Sequence, residues 1–366
     1  MSSYRCWAEI SRAALRHNAA AARRMLGANV ALLAVIKANG YGHGLAEVAK
    51  ALADEAQLFG VANLPEAIEA REAVPHPVII LGPALPKERT EIAARGFIPS
   101  VSNYEEALAF SRVAPNERPV EGNCAIDTGM GRMGMAEEGA IHELKRIAAL
   151  PNLHLHSVST HLPVADEDFA FTRRQLAGFQ ALAAKIRQEV PGAYMIHVLP
   201  SAGVMSFGAS AFEMVRAGLM LYGSAPLADL QDRLQPALTL KTRVALLREL
   251  PAGRSISYGR TFVTERPTRV ATLAVGYADG LPRSVSGRGA AVLIRGERCP
   301  VLGRITMDLT MVDVTQVRDV SLGDEVVLIG RQGDEQILAA EVARQASSVA
   351  WEIFTGIGSR VARVYL

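Results

Sequence analysis

The sequence predicts an α/β protein, a TIM-type (β/α)8 barrel followed by a mostly β C-terminal domain, and three observations support this prediction. Over the first two thirds of the chain, eight short apolar runs alternate with alanine-rich segments of helical spacing. Apolar runs of this kind, joined by helices, indicate a parallel sheet that is covered on both faces. After about Ala225, helical periodicity largely vanishes and β-rich stretches separated by turn signals replace it.

The eight strand candidates of the barrel share an apolar core. They are Val30–Ile36, Leu58–Ala62, Val78–Leu81, Phe97–Val101, Asn123–Ile126, Leu153–Thr160, Tyr194–Leu199 and Met214–Tyr222. The segments between them include the helix candidates Leu45–Leu52, Tyr104–Val113, Ala140–Leu150 and Phe169–Val190. The seventh link, Pro200–Phe212, is short, so we expect it to carry as little as one turn of helix. Eight such units favour a closed barrel over the alternative, an open doubly wound sheet.

The domain boundary is predicted after residue 235. Residues 1–235 form the barrel domain, with the first residues as a candidate for pairing with the C-terminal domain, which covers residues 236–366. The strand candidates of the second domain are Leu238–Leu250, Val270–Val275, Ala290–Ile294, Met311–Val314, Glu325–Ile329 and Val361–Leu366. One helix, about Ala339–Ala346, interrupts them, and Asp279-Gly280 is among the turns.

Composition excludes several functional classes. Of the 366 residues, 49% are apolar and 21% charged, and the net charge is +2, so the charge balance gives no sign of a nucleic-acid or membrane-surface partner. The first ten residues lack the apolar core of a signal peptide, and no apolar run is long enough to span a bilayer. Three widely spaced cysteines argue against a disulfide framework or a metal cluster. We therefore expect a cytoplasmic protein without a metal.

The carboxyl ends of the strands are where a barrel of this class places its active site, and the first strand ends in Lys37. Glycines at alternate positions follow it, at Gly40, Gly42 and Gly44. A lysine in a dry, cramped site has its ammonium form disfavoured, which makes it a usable nucleophile and base. This chemistry suits the covalent attachment of an aldehyde cofactor.

Two further strand ends supply a cation and a histidine. Arg132 stands among the glycines after strand five, where a guanidinium suits a carboxylate or phenolate. His161 ends strand six. By itself one histidine is weak evidence for catalysis, and a structural histidine with its hydrogen bonds satisfied is the default interpretation.

The last two strand ends predict an anion site. Ser201 follows strand seven, and strand eight carries Arg216 ahead of Gly218 and Leu219. An arginine inside an apolar strand is costly to bury unless it has an acceptor or a cofactor as partner. The amides of Gly218 and Leu219, with the Ser201 hydroxyl, would form a phosphate cradle after strands seven and eight.

Motifs in the same order along nearly the whole chain resemble those of the alanine racemase family. They are Ala34–Gly44, Asp127–Arg132, Thr160-His161, Val215–Gly218, Leu221–Gly223, Gly276–Gly280, Gly303–Asp308 and Ser359–Val361. The lysine motif, the Gly-Tyr-Ala-Asp-Gly motif and the Gly-Arg-Ile-Thr-Met-Asp motif are together specific to that family. In isolation, Gly276–Gly280 would be interpreted as a strand end with a turn, and Met307 as a core residue.

The resemblance implies a pyridoxal 5'-phosphate (PLP) enzyme that interconverts L- and D-alanine and supplies D-alanine for peptidoglycan. It implies a homodimer whose active sites are shared between subunits, with a small amino acid as substrate. Lys37 would hold PLP and act as the base on the D side, and Tyr277 would be the base on the L side. Racemisation needs a proton removed from one face and returned on the other, which requires two bases.

The resemblance also implies roles for other residues. Tyr277, His161 and Arg216 would form a chain that ends at the pyridine nitrogen. The phosphate would be held by Tyr41, Ser201, Gly218 and Leu219. Arg132 would contact the phenolic oxygen and the substrate carboxylate, which the Met307 amide would also bind. The entrance would be lined by Asp166, Arg304 and Ile357.

Three positions depart from the family pattern. Ala125 stands where the family commonly has a lysine that orients the arginine corresponding to Arg132. Ser359 stands where many members have a tyrosine near the phosphate. Pro200 stands where an asparagine commonly precedes the phosphate-binding serine. These departures bear on the fine geometry of the site and on the substrate range.

Other functions remain open at this stage. A racemase of serine or lysine, or a decarboxylase of the same architecture, would share most of the motifs, although a decarboxylase typically has an acidic residue opposite the pyridine nitrogen. A PLP-binding regulatory protein without catalysis is the third possibility. The presence of both Lys37 and Tyr277 argues against it.

Overall fold

The structure, a computed structural model, describes residues 4–27, 29–116, 118–208 and 212–366. It divides into two compact units. The barrel unit consists of Leu15–Gly40 and Leu45–Gln235. The C-terminal unit consists of residues 4–14, Tyr41–Gly44 and Pro236–Leu366.

Strand β1, Cys6–Ile10, belongs to the C-terminal unit, and the barrel begins with the next strand. The barrel strands are β2 (Ala31–Val35), β3 (Leu58–Val61), β4 (Val78–Pro83), β5 (Ile98–Val101), β6 (Val120–Asp127), β8 (Leu153–Ser159), β9 (Met195–Pro200) and β10 (Met214–Ala217), with a short β7 (Met135–Ala136) beside β6. They pair in the order β5-β4-β3-β2-β10-β9-β8-β6, all in parallel, and a β5–β6 pairing closes the ring. The predicted (β/α)8 barrel is therefore confirmed.

One helix precedes the first strand of the barrel, and the others lie between its strands. They are α1 (Arg12–Met25), α2 (Leu45–Leu52), α3 (Leu64–Ala73), α4 (Arg89–Arg95), α5 (Tyr104–Val113), α6 (Ala140–Ala148), α7 (Phe169–Glu189) and α8 (Ser201–Phe207). Polar side chains fix where several of them begin, since Asn63, Asn103 and Asp168 each accept a hydrogen bond from a backbone amide of the first turn. In α2 the apolar residues fall on one buried face, as the helical period requires.

The C-terminal unit is mostly β, as predicted. Its later strands are β11 (Leu238–Leu250), β12 (Ser255–Ile256), β13 (Phe262–Val263), β14 (Thr268–Leu273), β15 (Ala291–Ile294), β16 (Glu297–Pro300), β17 (Thr310–Asp313), β18 (Glu325–Gln332), β19 (Glu335–Ile337) and β20 (Ala362–Tyr365). The sheet runs β16-β15-β18-β11-β1-β20, and β14 joins β11 to β17. The long β11 is the centre of this sheet because it pairs with β1, β14 and β18.

Two sequence predictions differ from the structure. The run predicted as one strand, Met214–Tyr222, is strand β10 only to Ala217. At Gly218 the backbone turns away (φ −127°, ψ −97°), and Leu219–Tyr222 form a buried 3-10 turn. A continuous apolar run cannot show this break, since strand and buried helix give the same pattern.

The C-terminal unit also contains a second helix after α9 (Ala339–Ala346), namely α10, Ala350–Thr355. It is too short to give a helical period in the sequence. In the predicted link Pro200–Phe212, helix α8 is present, and residues 209–211 lie outside the described part of the chain. No helix among the described residues is long and apolar enough to cross a membrane.

Candidate active site

The turn that follows Lys37 has an unusual backbone. Ala38, Asn39 and Gly40 have φ values of 53°, 53° and 60°. A left-handed conformation costs about 1–2 kcal/mol for each residue with a side chain. Two hydrogen bonds hold the turn: the Gly40 amide donates to the Ile36 carbonyl at 2.8 Å, and the Leu45 amide donates to Oδ1 of Asn39 at 3.0 Å. Backbone strain held in this way is typical of functional sites.

Glu66, which the sequence analysis did not single out, supports the same turn. Its Oε1 accepts from the Ala38 amide at 2.7 Å, and its Oε2 accepts from the Ala62 amide at 2.8 Å. Burial lowers the pKa of Lys37, the charge of Arg132 lowers it further, and Glu66 only partly opposes them. The Lys37 amine is therefore easier to deprotonate than an ordinary lysine, as a base or a nucleophile requires.

Arg132 lies on a turn that Asp127 organises. The carboxylate of Asp127 accepts hydrogen bonds from the amides of Gly129, Met130 and Gly131 at 2.8–2.9 Å. Burial acts to raise the pKa of Asp127, but these amides outweigh it and the pKa is lowered. The Arg132 side chain is exposed and forms no hydrogen bond or ion pair with any part of the chain that the structure describes.

Arg216 is buried at the end of β10, and all its partners are neutral acceptors. Nη2 donates to the carbonyls of Thr160 (2.6 Å) and Val198 (2.8 Å), and Nη1 donates to the carbonyl of His197 (3.1 Å) and to its ring Nδ1 (2.6 Å). Burial, followed by the charge of Arg132, lowers the pKa of Arg216 to about 10. The guanidinium thus stays charged at neutral pH without a carboxylate beside it.

His161 is held as a neutral ring by its surroundings. Its Nδ1 lies 3.1 Å from Nη2 of Arg216, which can only donate, so Nδ1 accepts and the ring proton is on Nε2. Burial and then the charges of Arg216, Arg132 and Lys37 lower the pKa of His161 to about 3. The ring can therefore donate from Nε2 to a neighbouring group across the physiological pH range.

The structure brings Ser201 and Gly218 together. The amides of Gly218 (2.9 Å) and Met220 (3.2 Å) donate to Oγ of Ser201, so its own hydroxyl hydrogen is left to donate to an anion. Leu219 begins the 3-10 turn beside them. Pro200, at the start of α8, contributes no amide hydrogen to this corner.

In the C-terminal unit, the motifs Gly276–Gly280 and Gly303–Asp308 meet at Tyr277 and Met307. The Tyr277 amide donates to the Thr306 carbonyl at 3.0 Å, and the Ala278 amide donates to the Met307 carbonyl at 3.1 Å. Both side chains are exposed, Tyr277 at 40% and Met307 at 53%. Both side chains are therefore accessible to another molecule.

Tyr258 is a second exposed tyrosine that the sequence analysis missed. Its exposed fraction is 66%, larger than that of Tyr277. The nearby residues Ser257 (φ 65°) and Arg260 (φ 49°) are left-handed although neither is glycine, and Oγ of Ser257 donates to the Arg304 carbonyl at 2.5 Å. The sequence Ser257-Tyr258-Gly259-Arg260 does not indicate this strain, which only the structure reveals.

The remaining predicted residues fall in both units. Asp166 is half-buried in the barrel unit, while Tyr41 and Ile357 are buried in the C-terminal unit, at 6% and 5% exposure. Burial raises the pKa of Tyr41 to about 12, against a hydrogen bond with Trp351. Arg304 lines a cavity of about 360 Å³ in the C-terminal unit, together with Arg283 and Arg288. Among the described residues there is no group of three histidine, cysteine or acidic side chains that could hold a metal ion.

A closed (β/α)8 barrel with a lysine, a neutral histidine and two arginines at its strand ends, followed by a mostly β domain, defines a barrel-type enzyme with a reactive lysine amine. Comparison with known proteins gives the family. The models for the N-terminal and C-terminal domains of alanine racemase match residues 10–226 and 237–365. The chain belongs to the alanine racemase family, whose members depend on PLP, and the resemblance seen in the motifs is confirmed.

Individual relatives support this assignment over the full length. The chain is 41% identical to the alanine racemase of Halothermothrix orenii, covering 98% of this chain and 96% of the relative. The solved structure of the alanine racemase of Clostridium difficile superimposes with a TM-score of 0.92 at 32% identity, covering 100% and 97%. A third relative, the Bartonella henselae alanine racemase with covalently bound pyridoxal phosphate, has a TM-score of 0.89 at 26% identity, covering 99% and 100%.

Proposed function

We propose that this chain interconverts L- and D-alanine with PLP bound at Lys37. The observation that carries the proposal is the set of groups at the barrel strand ends, where a lysine of lowered pKa lies within the electrostatic reach of Arg132 and His161. In a chain of this family, such a lysine suits both the attachment of an aldehyde and the movement of a proton. The product, D-alanine, would supply peptidoglycan.

The donor groups fit the charges of PLP. Its phosphate and phenolate are anionic, and the Ser201 hydroxyl, the Leu219 amide, the Tyr41 phenol and the Arg132 guanidinium are all donors. The Gly218 amide already donates to Oγ of Ser201, so it would support the phosphate through that hydroxyl. Arg216 would contact the pyridine nitrogen. When bound, PLP supplies an electron sink for the carbanion at the substrate α-carbon. Because a guanidinium does not readily give up a proton, Arg216 would leave that nitrogen unprotonated, which disfavours side reactions such as transamination.

Two bases are needed, and the chain offers Lys37 for the D side. For the L side, the sequence favours Tyr277, with His161 and Arg216 behind it as donors. Tyr258 competes for this role, on the grounds of its larger exposure and the strained backbone around it. In either case the Nε2–H of His161 would stabilise the tyrosine oxygen after it loses its proton.

We further propose a homodimer in which the C-terminal unit of one subunit completes the site of the other. The exposed apolar side chains of Tyr258, Tyr277, Met307 and Leu309 support this, since a partner would cover them. The Met307 amide and Arg132 would bind the substrate carboxylate, and Asp166, Arg304 and Ile357 would line the entrance. The three cysteines are free and buried, which is compatible with a cytoplasmic location.

Alternative substrates are distinguished by a direct assay. The purified protein with added PLP is incubated with L-alanine, L-serine and L-lysine, and the enantiomers and amine products are separated by chiral chromatography. We expect D-alanine to form fastest, because the relatives compared above are alanine racemases. Faster racemisation of serine or lysine would show that alanine is not the preferred substrate. Amine formation would indicate a decarboxylase. No turnover of any amino acid would refute the proposed function. No acidic side chain is among the hydrogen-bond partners of Arg216 within the described residues, which disfavours the decarboxylase.

A further inference from the structure

His197, on β9, lies behind Arg216 and has one possible arrangement of its ring hydrogen. Nη1 of Arg216 is 2.6 Å from Nδ1 of His197 and can only donate, so Nδ1 accepts. A neutral ring must then carry its hydrogen on Nε2, which lies 3.0 Å from Oδ1 of Asn123 on β6. His197 and Asn123 are buried, at 0% and 2% exposure, so water does not compete for these bonds.

The orientation of Asn123 is fixed as well. Its Oδ1 accepts a second hydrogen bond from Oγ of Ser157 at 3.0 Å, and its Nδ2 donates to Oγ of Ser100 at 2.9 Å. Oγ of Ser157 in turn lies 3.1 Å from Nδ1 of His156, which therefore donates to it. The network runs from half-buried His156 to Arg216 with every donor facing an acceptor.

We propose that Asn123 is a positioning residue for the racemase reaction, because its Oδ1 fixes His197 in the neutral Nε2–H form and so keeps Nδ1 as an acceptor for Arg216. The inference rests on the proposed function of Arg216. Replacing the acceptor at Asn123 would allow His197 to carry its hydrogen on Nδ1. The Nδ1–H group would then point at the N–H of Arg216 Nη1, across a distance of 2.6 Å that now joins a donor to an acceptor. Arg216 would then lose a contact that determines where its guanidinium points.

The charges around His197 act in the same direction. Arg216 on β10 and His156 on β8, the two strands that pair with β9, both act electrostatically on the ring. Burial, followed by these two groups, lowers the pKa of His197 well below its ordinary value. A carboxylate at the position of Asn123 would oppose these effects and favour a doubly protonated ring.

The variant Asn123→Asp tests this directly. A carboxylate there stabilises a His197 imidazolium that donates from both nitrogens, so that Arg216 loses its acceptor. We expect kcat for alanine to fall about tenfold or more at pH 6, with a smaller change in KM. Activity should recover as the pH rises and the imidazolium loses the Nδ1 proton. A pH profile identical to the wild type, at any level of activity, would overturn the proposal.

Ser100→Ala is the matched control, because it removes the partner of Nδ2 and leaves both bonds to Oδ1. We expect its kcat and pH profile to stay within about twofold of the wild type. An equal loss in Ser100→Ala and Asn123→Asp would mean that the network only supports the fold, and would also overturn the proposal.

A measurement on the wild type avoids dependence on the stability of a variant. Nitrogen-15 NMR of histidine-labelled protein distinguishes the Nδ1–H, Nε2–H and doubly protonated rings, and His197→Asn identifies the signal of His197. We expect the Nε2–H form with and without PLP; any other form refutes the inference. If the wild type shows this form but racemises no amino acid, the proposed function fails while the tautomer assignment stands.

Discussion

The guanidinium of Arg360 binds the buried carboxylate of Asp279 through Nε at 2.7 Å and Nη2 at 3.1 Å. Nη2 also donates to Asp308 at 2.7 Å. Asp279 itself accepts from the Gly276 amide at 2.8 Å. Arg360 therefore joins the segment of Tyr277 to the segment of Met307, and these ion pairs hold the pKa of Arg360 above its ordinary value.

We expect Arg360→Ala to destabilise the protein, because it leaves the Asp279 carboxylate buried without a counter-charge. The urea midpoint should fall, and the KM for alanine should rise as Met307 loses its support. Arg266→Ala is the control: it removes an exposed ion pair with Asp313 and should change the midpoint little. Equal urea midpoints for the two variants would show that Arg360 does not stabilise the protein by neutralising Asp279.

The strand pattern of the sequence is enough to predict which side chains lie at the mouth of the barrel. The carboxyl ends of parallel strands meet at one mouth of the barrel, so Lys37, Arg132, His161 and Arg216 could be grouped from sequence alone. Their placement in one electrostatic cluster agrees with that reasoning.

Residues inside the barrel were not predictable in the same way. His197 and Asn123 stand in the middle of strands, and their pairing depends on the register of β6, β8 and β9, which the sequence does not reveal. Glu66 bonds to Ala38, a residue 28 positions away in sequence. Tyr258 was missed because left-handed backbone at Ser257 and Arg260, neither of them glycine, has no sequence signature.

Lys37→Ala should abolish the covalent cofactor adduct that borohydride traps. The reason is that Lys37 combines a lowered pKa with a position beside Arg132, which makes its amine the favoured nucleophile. The adduct is located by peptide mass spectrometry after reduction. Lys50→Ala, at an exposed lysine paired with Glu47, is the control and should keep the adduct. An adduct that persists in Lys37→Ala would place the cofactor on another lysine.

The two exposed tyrosines are distinguished by the direction of proton exchange. If Tyr277 is the L-side base, Tyr277→Phe should slow loss of the α-proton from L-alanine by about 100-fold or more and affect D-alanine less, while Tyr258→Phe should have little effect. The reverse pattern would assign the role to Tyr258. Exchange is followed by NMR in deuterated water from each enantiomer. Equal slowing from both enantiomers in both variants would contradict the two-base scheme.

The stability of the protein should depend on pH through His161. Its pKa is about 3 in the folded chain and 6.5 ordinarily, so between these values the unfolded chain binds a proton that the folded chain does not. The free energy of unfolding therefore falls as the pH falls from 6.5 towards 3. His161→Asn should flatten this decline in urea titrations across that range. His142→Asn, at an exposed histidine of α6, controls for the loss of a histidine and should keep the wild-type slope.

The segment after Lys37 also depends on close backbone packing at Gly42. Gly42 has φ 76°, and a Cβ there would overlap the carbonyl oxygen of Phe354, to which the Ile357 amide donates at 3.3 Å. Gly131 has φ 67° with no atom within 4 Å of such a Cβ. Both alanine variants therefore incur the left-handed strain of about 1–2 kcal/mol, and only Gly42→Ala adds a steric overlap with backbone.

We expect Gly42→Ala to lower the free energy of unfolding by about 1–3 kcal/mol more than Gly131→Ala does, because a carbonyl that is already hydrogen-bonded cannot easily move aside. Urea unfolding of both variants, monitored by circular dichroism, gives the difference. If the two variants lose the same free energy, the strain alone accounts for both. The close approach to Phe354 would then contribute nothing to the stability of this segment.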